Sequence, residues 1–214
     1  MSKPLQNKTL LDGNIITIDP SGEHLAYAVV HMDQVNSTAK YIDVGIIWTH
    51  TSWTKGHRFD YMQKCLKHLV LEYKPVGIWS EAYFVNPKMR TGMSIIPTIN
   101  HIIQMVMYQL DNETTFGEIS PTSWRGGLQI KPDYINGKRD YKGPTKVAVE
   151  KLLGKPFPSE VLSNITGKLR SLPTDIPDAL AISIYVIKEH GIKVLDFDNN
   201  LVYNKQSSTF KEYI

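Results

Sequence analysis

Asp175-Ile176-Pro177-Asp178-Ala179-Leu180-Ala181 opens the last strongly periodic stretch of the chain, Ile176 to Glu189. There Ala179, Leu180, Ile182, Ser183, Val186 and Ile187 fall at helical spacing, which predicts a helix. Its two acids are three residues apart, and positions i and i+3 share a helical face, so both carboxylates can serve one site. A purely local reading also fits: Asp175 suits an N-cap, and Asp178 suits the positive end of the helix dipole. The choice between them depends on what the rest of the chain places nearby.

Working outward, Asn14 to Ile18 is a β-rich run that ends in Asp19-Pro-Ser-Gly22, and Ala26 to His31 and Ile42 to Trp48 resume strand-like composition. Phe59 to Glu72 sets Met62, Leu66, Leu69 and Val70 at helical spacing, and Pro75 closes it. Val76 to Ser80 reads as a buried strand that ends at Glu81. Thr91 to Leu110 carries Ile95, Ile96, Ile99, Ile102, Ile103, Val106 and Leu110 on one stripe, with Met93, Met105 and Met107 widening it towards a partner. Thr115 to Ile119 is a further strand, Pro121 opens a helical turn, and Pro144 to Leu153 resumes helical spacing. Gly126 to Gly143 lacks a hydrophobic period and reads as a loop excursion. Strands first, then strands interleaved with helices, predict an α/β sandwich. Residues 1–190 form its body and 191–214 a peripheral strand or docked tail.

Two more acids, Asp19 and Glu81, thus end strands, and the carboxyl ends of strands are where α/β folds place their chemistry. Asp19 before Pro20 also suits the first position of a type I turn, and Glu81 could be a solvated strand end. Taken in order, however, the four acids form a pattern. Clustered carboxylates repel one another unless cations sit between them, and hard oxygen ligands suit Mg²⁺ or Mn²⁺ better than zinc. Two such ions, about 3.5–4 Å apart, activate a water and stabilise the leaving oxygen of a phosphodiester.

The 214 residues, 24.3 kDa, suffice for one domain with its own core. A single cysteine, Cys65, excludes an internal disulfide, and neither a long apolar run nor a signal-like N-terminus is present, so a cytoplasmic protein without a membrane partner is expected. A net charge of +3 is too small to indicate nucleic acid, but its distribution is uneven. Arg125 to Lys155 holds eight basic and three acidic residues, a local +5 against −2 elsewhere, as a phosphate-binding face would. Tyr83 and Phe84 beside Lys88 and Arg90 combine rings for stacking with charge for phosphate. The seven histidines show no ligand spacing, and there is no P-loop.

In three segments the sequence resembles the RuvC family of Holliday junction resolvases, within the RNase H-like superfamily: Ile16-Thr-Ile-Asp19-Pro-Ser-Gly22, Ile78-Trp-Ser-Glu81-Ala-Tyr-Phe84 and Asp175-Ile-Pro-Asp178-Ala-Leu-Ala181. The resemblance runs roughly from Ile15 to Ile187 and rests on order and spacing more than identity. It implies an RNase H-like fold, with a central mixed five-stranded sheet flanked by helices, and a homodimeric endonuclease acting on four-way and other branched DNA. It further implies that Asp19, Glu81, Asp175 and Asp178 ligate two Mg²⁺ ions, with Mn²⁺ able to substitute, and that Phe84 enters the junction crossover. Gly143-Pro-Thr-Lys146-Val-Ala-Val149 is similar to a family helix pattern, which makes Lys146 a phosphate contact beside Arg125, Lys138, Arg139 and Lys142. The long basic excursion and the tail point to a divergent branch of phage or viral type, which would act in the host cytoplasm. The rival readings are an RNase H-like nuclease on RNA/DNA hybrids or flaps, an actin-like ATPase, for which further Gly-rich phosphate motifs are missing, and a junction-binding protein without catalysis.

Overall fold

The structure, a computed structural model, describes residues 12–82, 95–110, 114–198 and 203–214. Tyr83, Phe84, Lys88 and Arg90 lie outside the described residues. The chain begins with a meander of β1 (Gly13–Pro20), β2 (His24–Asp33) and β3 (Thr38–Trp48), followed by α1 (Lys55–Tyr73) and β4 (Gly77–Glu81). Then come α2 (Ile95–Gln109), β5 (Thr115–Ile119), α3 (Pro121–Gly127), the strand pair β6 (Asp133–Ile135) and β7 (Lys138–Asp140), and α4 (Lys142–Leu153). A second strand pair, β8 (Glu160–Leu162) and β9 (Leu169–Ser171), leads into α5 (Asp175–Glu189), after which β10 (Val194–Asp196) and α6 (Ser207–Lys211) complete the order.

The main sheet runs β10-β3-β2-β1-β4-β5, with β1, β2 and β3 antiparallel and β1/β4, β4/β5 and β10/β3 parallel. It is mixed, as expected, but has six strands and not five. The sixth, β10, is three residues at the edge of β3, too short to show a period of its own. The basic excursion is also more ordered than a loop: β6 and β7 form a hairpin, turned by Asn136 and Gly137 with φ of 51° and 74°. Asn-Gly is favoured where both central residues need positive φ.

Alternation along the strands separates two cores. Ile15, Ala26, Ala28, Ile46 and Trp48 face α5 together with Trp124 and Val149, while Ile16, Ile18, Leu25, Tyr27 and Ile47 face α1 and α2. The helix expected from Ile176 is nearly all buried, from Ile176 and Pro177 through Ile187. Thr17 on β1 donates to the Ala179 carbonyl over 2.9 Å and fixes the start of that helix against the centre of the sheet.

The C-terminal residues pack into this body. Phe210 is fully buried on the α1 side, and Asn204 accepts from the Ile46 amide and donates to the Leu162 carbonyl. Gly45 permits that approach, since a Cβ there would lie 2.7 Å from Asn204 Oδ1. A second buried asparagine, Asn164, accepts from the Trp48 amide and donates to the Trp48 carbonyl and the Tyr61 hydroxyl. It thereby ties the β8–β9 hairpin to the end of β3. Asn164→Ala leaves the buried Trp48 peptide without partners and should cost about 3 kcal/mol. In a domain of this size that is roughly 6–12 °C of Tm, measurable by calorimetry.

Candidate active site

Residues at positions 15, 17 and 19 of β1 alternate onto the α5 face. In β4, Trp79 and Glu81 do the same, because the parallel register pairs Thr17 with Trp79. Continuing that register by two residues sets Asp19 beside Glu81 at the carboxyl ends of neighbouring strands, both nearly buried, with 6% and 9% exposure. The first turn of α5 is held over this end by Thr17 and supplies Asp175 and Asp178. The four acids nominated from sequence therefore meet in one place. Asp175 is not the cap: the N-cap is Thr174, whose side chain makes no capping bond and donates instead to Asp175 Oδ1 over 3.2 Å.

The surroundings treat the acids differently. Burial first, then the charges of Glu81 and Asp178 and a hydrogen bond shared with Glu81, push the Asp19 carboxyl well above its usual range. Asp178 is pushed up to about 7, by burial and then by the charge of Glu81, with Arg125 pulling the other way. Burial would also raise Asp175, but a hydrogen bond and charge from His24, aided by Lys142, outweigh it and hold that carboxyl low. Glu81 accepts from the Trp124 indole N–H over 3.4 Å, and the Arg125 guanidinium stands 3.9 Å from the same oxygen. Arg125 stacks on the rings of Trp124 and Tyr141, at 4.6 and 4.5 Å from their centroids.

Two of the predicted DNA-binding residues thus belong to the edge of the carboxylate cluster: Arg125 by contact and Lys142, at the start of α4, by its field on Asp175. Lys138 and Arg139 are exposed on the β6–β7 hairpin and Lys146 is exposed on α4. Reasoning from sequence missed His24, Trp124 and Tyr141. His24 opens β2 two residues past Gly22, just after the turn that follows Asp19, which was the one available sign of its proximity.

Among the described residues, no group of three or more His, Cys, Asp or Glu side chains is drawn up as a ligand set for a metal ion. His24 engages Asp175, and Asp19 and Glu81 share a hydrogen bond. The donors still fit a hard divalent cation in kind. All are carboxylate oxygens, and Asp178 Oδ1 is buried without a hydrogen-bond partner. The raised carboxyls carry a sign that can be checked. Because Asp19 and Asp178 hold protons more tightly folded than unfolded, the cation-free protein loses stability as pH rises from about 4 towards 7. Asp175 runs the other way, and its contribution is lost only as pH falls below about 4. In EDTA, Tm should drop by about 5 °C or more between pH 5 and pH 8, and Asp178→Asn should flatten that drop.

No protein-family model matches the chain. The crossover junction endodeoxyribonuclease RuvC of Dictyoglomus thermophilum is 23% identical over 180 residues, covering 83% of this chain and 98% of that protein. Among solved structures, Thermus thermophilus RuvC in complex with a Holliday junction substrate aligns with a TM-score of 0.57 at 14% identity, over 81% of this chain and 91% of that one. The yeast mitochondrial Holliday junction resolvase Ydc2 aligns at 0.53 and 12% identity, over 96% and 87%. The mixed sheet flanked by helices, with acids at the ends of two neighbouring parallel strands and on the helix above them, is a fold the chain shares with these RuvC-type structures. In sequence the chain is similar to curated RuvC proteins.

Proposed function

We propose that this chain is a structure-selective endonuclease, a crossover junction endodeoxyribonuclease that hydrolyses phosphodiesters at four-way and other branched DNA junctions. The observation that carries this reading is the convergence of Asp19, Glu81, Asp175 and Asp178, from three separate elements, at one end of a RuvC-like sheet. Asp19, Glu81, Asp175 and Asp178 would hold two Mg²⁺ ions, or Mn²⁺ in their place, which when bound activate a water and stabilise the leaving oxygen. The chain's own groups supply the rest. His24 orients Asp175, and Trp124 orients Glu81. Arg125, kept flat by its stacking on Trp124 and Tyr141, presents a permanent positive charge beside the acids, where a phosphate would add negative charge. Lys138, Arg139, Lys142 and Lys146 provide phosphate contacts that carry no base sequence.

A four-way junction offers two related cleavage points, which suits a two-fold homodimer. Met105 and Tyr108, exposed on α2, give such a dimer an apolar contact. The test is cleavage of a synthetic four-way junction, a flap and an RNA/DNA hybrid in Mg²⁺, with sedimentation equilibrium to give the mass. Paired nicks in the junction by a species of twice 24.3 kDa support the reading. A monomer that cuts the hybrid and leaves the junction intact replaces it with the RNase H-like alternative.

A further inference from the structure

The basic groups described so far, Arg125, Lys142 and the β6–β7 hairpin, all stand on the β4 and α4 flank of the carboxylates. The opposite flank has a basic element of its own. The β8–β9 hairpin is locked to the end of β3 by Asn164, and its turn is braced by Ser163 Oγ, which accepts from the amides of Ile165 and Thr166. On this base Arg170 sits over the Trp48 indole, with Cζ 5.4 Å from the ring centroid. Trp48 pairs across the strands with His24, and His24 holds Asp175. A continuous line of contact therefore leads from Arg170 to the acids. Arg170 and Lys168 are exposed, and neither forms an ion pair among the described residues.

We infer that Arg170, with Lys168 beside it, is a phosphate contact for the substrate strand on the β3 side of the bond to be cut, so that the strand crosses the sheet end from the α4 flank to the β8–β9 hairpin. This rests on the nuclease reading above. Neighbouring strands lie about 4.8 Å apart, so β3 is roughly 10 Å from β1, where Asp19 stands. A nucleic-acid strand advances about 3.4 Å per nucleotide along its axis, which sets the contacted phosphate about three nucleotides from the scissile one. The indole holds the guanidinium plane while leaving its N–H groups free for a phosphate. The buried Asn164 tie keeps the platform rigid, so little ordering is needed on binding. A hairpin that only covered the core would account for buried Val161 and Asn164, but not for two exposed cations without an ion pair among the described residues, one of them seated on Trp48.

The experiment uses the full chain and its Arg170→Gln and Arg170→Lys variants, with Ca²⁺ for binding and Mg²⁺ for cleavage of a four-way junction. Arg170→Gln should keep the wild-type Tm, weaken binding about tenfold and lower the slope of log K against log salt by about 0.9. It should raise KM far more than it lowers kcat, and Arg170→Lys should recover the slope but only part of the affinity. A neutral methylphosphonate placed about three nucleotides from the cut, on one side only, should weaken wild-type binding and leave Arg170→Gln unaffected. If wild type cuts junctions while Arg170→Gln matches it in affinity and slope, the inference fails and the nuclease reading stands. A wild-type chain that neither binds nor cuts the junction overturns both.

Discussion

Asp19→Asn or Glu81→Gln should lower junction cleavage in Mg²⁺ by about 10³-fold or more while leaving junction binding intact or tighter. Each change preserves shape and removes one negative charge from a buried pair at adjacent strand ends. The loss is large because a ligated ion supplies several kcal/mol of transition-state stabilisation and every 1.4 kcal/mol is tenfold in rate. Binding gains because the cluster repels the phosphate backbone less. Folding should not suffer, since the Asp19 carboxyl already favours its neutral form in the absence of a cation. The assay is single-turnover cleavage beside a gel-shift measurement in Ca²⁺. Near wild-type cutting by either variant would remove that residue from the site.

A loss of similar size is expected for Asp178→Asn, and a distinct pattern for Asp175→Asn. Asp178 has a buried oxygen without a partner and a carboxyl pushed up to about 7, so Asn relieves repulsion and should raise the cation-free Tm at pH 8 while abolishing cleavage. Asp175 is engaged by His24, Thr174 and the field of Lys142, all of which favour its charged form. Asn there forfeits those interactions, so Asp175→Asn should lose cleavage and also lower Tm slightly. Opposite Tm shifts with a shared loss of Mg²⁺-dependent cleavage separate a functional cluster from a helix cap, because Asn caps a helix about as well as Asp. Full activity in Asp175→Asn with loss in Asp178→Asn would reduce the site to three carboxylates.

The parts of this architecture that could be read from sequence are those with a repeating physical cause. The β1, β4 and β5 runs and the stripes of α1, α2 and α5 follow from burial on one or both faces. The meander's bulge, by contrast, leaves Ile42 out of the pairing between β2 and β3 and reverses the alternation there, so Asp43 turns inward to accept from Tyr27 and Tyr73. No period shows that. The three-residue strands of β8, β9 and β10 are shorter than any pattern, and the β6–β7 hairpin turned by Asn136-Gly137 falls in a stretch that reads as a loop. At the site, the acids were legible because Asp19 and Glu81 end predicted strands and Asp175 and Asp178 open a predicted helix. Their attendants were not: His24 reaches Asp175 across 151 positions and Arg125 reaches Glu81 through the docking of α3, which are tertiary facts.

The separation of those positions along the chain bears on how the molecule comes into being. The β1–β2–β3 meander is built from near neighbours, and closing its short loops costs little entropy. It contains Asp19 alone of the four acids. Glu81 joins when β4 crosses back to pair with β1, and Asp175 and Asp178 arrive only when α5 docks, through contacts such as Thr17 to Ala179 that span 162 positions. Bringing the like charges together thus depends on the contacts of greatest sequence separation. A partly folded or proteolytically clipped chain that retains only the meander holds Asp19 alone, so on the proposed reading hydrolytic competence requires the completed fold.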